Sequence, residues 1–127
     1  MNKELFDKGM KVRREVLGSE YVDKSIASAT PFTREFQEFV TQYCWGDIWN
    51  RPGLSRRERS LLNLAMLTAL NRPHEVKLHV IGALNNGVTP AEIGEVFLQT
   101  AVYCGVPAAL DSYAVAKEAF LEKGISA

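Results

Sequence analysis

The chain has 127 residues, 46% of them hydrophobic and 24% charged, which suits a single globular domain spanning 1–127. Lys plus Arg and Asp plus Glu each number 15, so the formal net charge is zero, which argues against a nucleic-acid binder or a protein held on an anionic membrane surface. The charged start MNKELFDKGMKVRRE lacks the apolar core of a signal peptide, and the longest apolar run, LLNLAMLTAL, is too short to cross a bilayer.

Taken in order, the elements read as helix throughout, because no stretch alternates apolar and polar residues long enough to demand a strand. Asn2 to Leu17 forms a first amphipathic helix that Gly18 stops. Ser19 to Ala29 is a short helix or turn. Pro31 stands at a first helical position after Thr30, and EFQEFVTQYCW carries that helix to Gly46. DIWNRPGL is a loop, with Trp45, Ile48 and Trp49 as core or subunit interface. Ser55 and Glu58 have capping-box spacing and open a helix that runs to about Leu70. Pro73 starts the next helix, which ends near Asn86 with Gly87 as a left-handed cap. Thr89 to Glu92 is a second capping box, on a helix that reaches Cys104. Pro107 opens the last helix and Gly124 closes it. The expected architecture is an all-α bundle of about six helices, antiparallel where the connections are short.

Both histidines of the chain lie in RPHEVKLH, Arg72 to His79. On a helix from Pro73, Glu75 and His79 are one turn apart on a single face at the edge of the apolar stripe Val76, Val80, Ala83 and Leu84. A histidine there titrates near neutrality, and a carboxylate beside it fixes its tautomer or raises its pKa, so the pair can act as a general acid/base unit. The same spacing also describes an ordinary helix-stabilising pair. Arginines crowd the helix starts: Arg56, Arg57 and Arg59 on one helix, Arg72 before Pro73, and Arg51 in the loop. A cation near the positive end of a helix dipole is unfavourable unless an anion joins it, which points to an acidic ligand or to ion pairs within the protein. Cys44 and Cys104 are sixty positions apart, form no CxxC, and fit a reduced, cytoplasmic setting. No zinc-type spacing, phosphate loop or GxSxG elbow occurs, so an enzyme built from this chain is expected to work without metal or organic cofactor.

The segments WGDIW, RPGL, RRERSLL, HEVKLH, NNGVT, EIGEVFLQ and AVYCGVPAA resemble the 4-carboxymuconolactone decarboxylase family, in the right order and most densely from Phe36 to Ala109. The resemblance implies an alkylhydroperoxidase-like helical fold that assembles into a homo-oligomeric ring, typically a hexamer. Sister proteins of that fold carry a CxxC just before the helix histidine. Here the matching positions are Arg72 and Glu75, which removes thiol peroxidase chemistry. The family's reaction converts 4-carboxymuconolactone to 3-oxoadipate enol-lactone in protocatechuate catabolism, the β-ketoadipate pathway. The substrate supplies its own electron sink, so no cofactor is implied. His79 and Glu75 are then the catalytic pair, and Arg72, with Arg51 or Arg59, holds the substrate carboxylates. Two positions depart from the family pattern: Leu110 stands where Asn is usual, and Ile81 where Arg is frequent. They leave room for a related small carboxylated lactone or acid as substrate. Two further readings stand beside this one: a peroxidase-like protein that has lost its CxxC, and a non-catalytic helical protein that binds a small acid.

Overall fold

The computed structural model describes residues 1–127 as seven α-helices, one π-helix and one 3-10 turn, with no strand, so the all-helical expectation is met. Two compact units divide the chain, Met1–Ser55 and Arg56–Ala127.

In the first unit, α1 (Lys3–Leu17) starts where the Asn2 side chain accepts the Leu5 N–H at 3.0 Å, and ends at Gly18, whose φ of +94° suits only glycine without strain. Then comes α2 (Ser19–Ala27), tied back to α1 by Arg14 on Asp23 at 2.6 Å. Regular helix resumes three residues later than the sequence suggests. Pro31 to Thr33 is a turn closed by the Thr30 and Thr33 hydroxyls, and α3 covers only Arg34–Phe39.

The expected continuation to Gly46 is not α-helix either. Val40–Asp47 is a π-helix, followed by a 3-10 turn at Ile48–Asn50, which shortens the expected loop. Two amide side chains serve carbonyls at either end of this widened run: Gln42 Nε2 donates to the Glu38 carbonyl and Asn50 Nδ2 to the Gly46 carbonyl, each at 3.0 Å. Backbone lies almost on backbone where α1 meets the π-helix. A methyl group at Gly9 would collide with the Thr41 carbonyl, and one at Gly46 with the Leu5 carbonyl. Around this contact Trp45 and Trp49 stack with centroids 4.9 Å apart, both buried, while Ile48 is exposed. Arg13 is buried here too. Its Nη1 donates to Thr41 Oγ1 at 3.2 Å and to Gln37 Oε1 at 3.1 Å, and its Nε finds no hydrogen-bond partner.

The second unit is built from α4 (Arg56–Ala69), α5 (Pro73–Asn85), α6 (Pro90–Cys104) and α7 (Val106–Glu122). Leu64, Val76, Val80, Ala83, Ile93, Phe97, Ala116 and Ala119 form its core. Three helices stop in the same way. The N–H two residues beyond the last helical cap reaches back to the fifth carbonyl before it: Arg72 to Leu67, Val88 to Ala83 and Ile125 to Phe120, each at 2.9 Å. The left-handed residue this motif needs is glycine at Gly87 and Gly124, and asparagine at Asn71, with φ +56°. The Thr89–Glu92 capping box is present with both of its bonds. Buried polar groups add two more ties, Thr68 Oγ1 to Ser112 Oγ at 2.8 Å and Asn86 Nδ2 to Ser60 Oγ at 2.9 Å.

Candidate active site

The turn at Asn71 sets up α5. It delivers Arg72 to the N-cap position and Pro73 to the first helical position, where a missing N–H costs nothing. From that start Val76, His79, Val80 and Ala83 fall on one inward stripe, and all are buried. His79 is therefore a member of the core face rather than of its edge, with only 9% of its surface exposed. Its ring Nδ1 lies 3.4 Å from Asn63 Nδ2 on α4. Burial pushes the imidazole down to about 4, so His79 is neutral near pH 7. A neutral imidazole can donate a hydrogen bond to a developing oxyanion without giving up its proton outright.

Glu75 lies one turn before His79 on α5 and is half-buried. His74 is exposed and turned away from the stripe. The next polar residue of α5, Lys77, is committed elsewhere, to Glu122 at 2.6 Å and Glu118 at 3.5 Å on α7. Among the arginines, Arg59 is half-buried one turn before Asn63, and Arg72 is exposed at the start of α5. Arg57 pairs with Glu92, so one of the crowded helix-start cations has its anion within the protein. Arg51 belongs to the first unit. It forks onto Asp47, Nε to Oδ1 at 2.9 Å and Nη2 to Oδ2 at 3.3 Å, and holds that carboxyl below the usual carboxylate range.

The structure thus brings His79, Glu75, Asn63 and Arg59 onto the facing helices α4 and α5. Asn63 is the member that sequence reading misses. Its only signal is a carboxamide one residue before the buried Leu64. Cys44 is half-buried and its thiol is pushed up by burial, against the pull of Arg13, so it is a poor nucleophile at neutral pH.

The sequence profile described as the carboxymuconolactone decarboxylase family matches residues 34–118, which run from the start of α3 into α7 and include His79, Glu75, Asn63 and Arg59. The chain belongs to the carboxymuconolactone decarboxylase family. Membership confirms the resemblance drawn from WGDIW, HEVKLH and AVYCGVPAA, and with it the alkylhydroperoxidase-like helical fold. Among relatives, a nitrosuccinic acid decarboxylase of Metarhizium robertsii is 48% identical over 118 residues, covering 93% of this chain and 82% of its own. A 4-carboxymuconolactone decarboxylase of Acinetobacter baylyi is 40% identical over 121 residues, covering 95% and 90%. A second protein of that name, from Pseudomonas putida, is 44% identical over 45 residues, 35% of this chain. Of the two departures from the family pattern, Ile81 is half-buried against the core of the second unit, and Leu110 is exposed on α7. No helix is long and apolar enough to cross a membrane.

Proposed function

We propose that this carboxymuconolactone decarboxylase family member is a cofactor-independent carboxy-lyase, acting on a small dicarboxylic acid whose departing carboxylate sits on carbon beside an electron sink. What carries the reading is that two relatives, matched over 93% and 95% of the chain, are both named decarboxylases although their substrates differ. In 4-carboxymuconolactone, breaking the carbon–carboxylate bond releases carbon dioxide and leaves the electron pair in a dienolate that ends on the lactone oxygen. Protonation on carbon then gives 3-oxoadipate enol-lactone. In nitrosuccinate the same bond breaks next to a nitro group, and the pair rests on the nitro oxygens as a nitronate. Both reactions ask the protein for the same three services: grip on carboxylates, a donor for the new oxyanion, and one proton to carbon.

His79 is the oxyanion donor in this reading, since it is buried and neutral. Glu75, one turn back on α5, delivers the proton to carbon. Arg72 and Arg59 hold the carboxylates. The first substrate is 4-carboxymuconolactone, in the β-ketoadipate pathway. The second is nitrosuccinate, favoured by the 48% identity to the Metarhizium robertsii enzyme.

Supplying each compound in turn and following its ultraviolet spectrum separates the two. Conversion of one of them, lost in His79→Ala, supports the reading; a folded protein that converts neither overturns it. The chain is also proposed to self-associate as a hexamer, without nucleic-acid or membrane partners. Leu62 and Met66 on α4, with Leu70 just after it, form an exposed apolar stripe, and Val102, Tyr103 and Val106 are exposed around Gly105. Light scattering should return about six times the 14.2 kDa chain mass, and a monomer would exclude the ring.

A further inference from the structure

The geometry points to Asn63 as a positioning residue: its side-chain amide holds His79 in the tautomer that carries the ring proton on Nε2, so that the imidazole meets substrate as a neutral hydrogen-bond donor. This rests on the preceding reading of His79 as the oxyanion donor. A primary amide nitrogen has two hydrogens and no lone pair to offer. Facing His79 Nδ1 at 3.4 Å, Asn63 Nδ2 makes that ring nitrogen the acceptor, and the one proton of a neutral ring is then on Nε2.

The amide is held in place from both sides along α4. Three residues before it, Ser60 Oγ accepts from Asn86 at the end of α5; five residues after it, Thr68 meets Ser112 of α7. These two bonds fix how α4 is rotated about its axis, and so aim Asn63 at α5. The choice of residue matters chemically. A carboxylate at the same place would accept a hydrogen bond from Nδ1–H, reverse the tautomer and favour the imidazolium. An amide fixes the tautomer and adds no charge. Glu75 stands one turn before His79 and Arg59 one turn before Asn63, with charges of opposite sign. A neutral Nε2–H stabilises the enolate or nitronate oxygen but is too weak an acid to quench it, which leaves the electron pair available for protonation on carbon.

With only two histidines, nitrogen NMR of the full chain labelled in the imidazole rings reads the tautomer directly, and a His74→Gln variant assigns the signals. The expected spectrum shows His79 with its proton on Nε2 from pH 6 to 8, in the absence of substrate. Asn63→Asp should move the proton to Nδ1 or yield imidazolium, and Asn63→Leu should give a mixture of tautomers. Both variants should lose roughly tenfold or more in kcat with a smaller change in KM, and Asn63→Asp should add an ionisation to the pH profile. A wild-type ring protonated on Nδ1, or unchanged ring signals in both variants, would overturn the assignment, whatever the activity. Changed signals with unchanged kcat in both would overturn its part in the reaction. A wild-type protein with the Nε2–H ring that turns over neither substrate removes the decarboxylase reading and that part together, but leaves the tautomer standing.

Discussion

Each unit buries a basic side chain that meets a neutral polar group, and the two answer burial differently. Arg13 in the first unit is held by neutral acceptors, Thr41 and Gln37; desolvation lowers its pKa, yet a guanidinium has so much room above neutrality that it stays charged. His79 in the second unit faces a neutral amide, and the same desolvation takes it to about 4 and strips its charge. Burial thus makes one group a fixed structural cation and the other a neutral donor. Only the second has a proton arrangement that a neighbour can choose, and only the second is suited to chemistry.

Removing the imidazole should have the largest effect. His79→Ala is expected to cost about a thousandfold in kcat, on the order of 4 kcal/mol, with an unchanged far-ultraviolet circular dichroism spectrum. Turnover within a few-fold of wild type would break the comparison outright. Next comes the backbone contact that surrounds the first unit's cation. Gly9→Ala should lose about 3 kcal/mol or more in urea unfolding, because the new methyl meets the Thr41 carbonyl rather than a side chain that can yield.

The third test is acid. His79 has its pKa lowered by folding, so the unfolded chain binds a proton that the native chain refuses between the unfolded value of 6.5 and about 4. Stability should therefore be full above pH 6.5 and fall as the pH drops to 4, by on the order of 3 kcal/mol, and His79→Gln should remove that part of the slope. Arg13→Met sharpens the contrast: about 1–2 kcal/mol of stability lost from the unanswered Thr41 and Gln37 acceptors, with the acid slope intact, since arginine does not titrate there. The smallest effect expected is for Thr89→Ala, about 1 kcal/mol in thermal unfolding from the lost cap of α6.

Helix ends were the most legible part of the sequence because their signals are local. Gly18, Gly87 and Gly124 need positive φ, Pro73 needs a free first position, and the Thr89–Glu92 box satisfies its own orphan N–H groups. The helical spacing of Glu75 and His79 was equally readable. What escaped depends on residues far apart in the chain. The π-helix follows from the approach of Gly9 to Thr41 and of Leu5 to Gly46, and no window of consecutive residues contains either pair. Asn63 escaped for the same reason, since a lone carboxamide acquires meaning only from the ring sixteen residues later that it faces. The Asn71 turn and the Arg51–Asp47 pair were local and still passed over; both are visible in NRP and DIWNR once the left-handed tolerance of asparagine and the i, i+4 rule are applied.

The π-helix carries a consequence for how this chain can change over evolutionary time. A helix with a wider turn holds residues that an α-helix of the same span would not. Deleting one residue between Val40 and Asp47 would let ordinary α-helical bonding return, but it would also swing everything after the cut by about 100° around the axis. Trp45, Gly46 and Trp49 would leave the positions where they meet α1 and one another. Gly46 apart, substitutions in VTQYCWGD are thus easier to accept than a change in its length, and insertions or deletions in descendants of this sequence should be absent from that octapeptide even where its other letters drift.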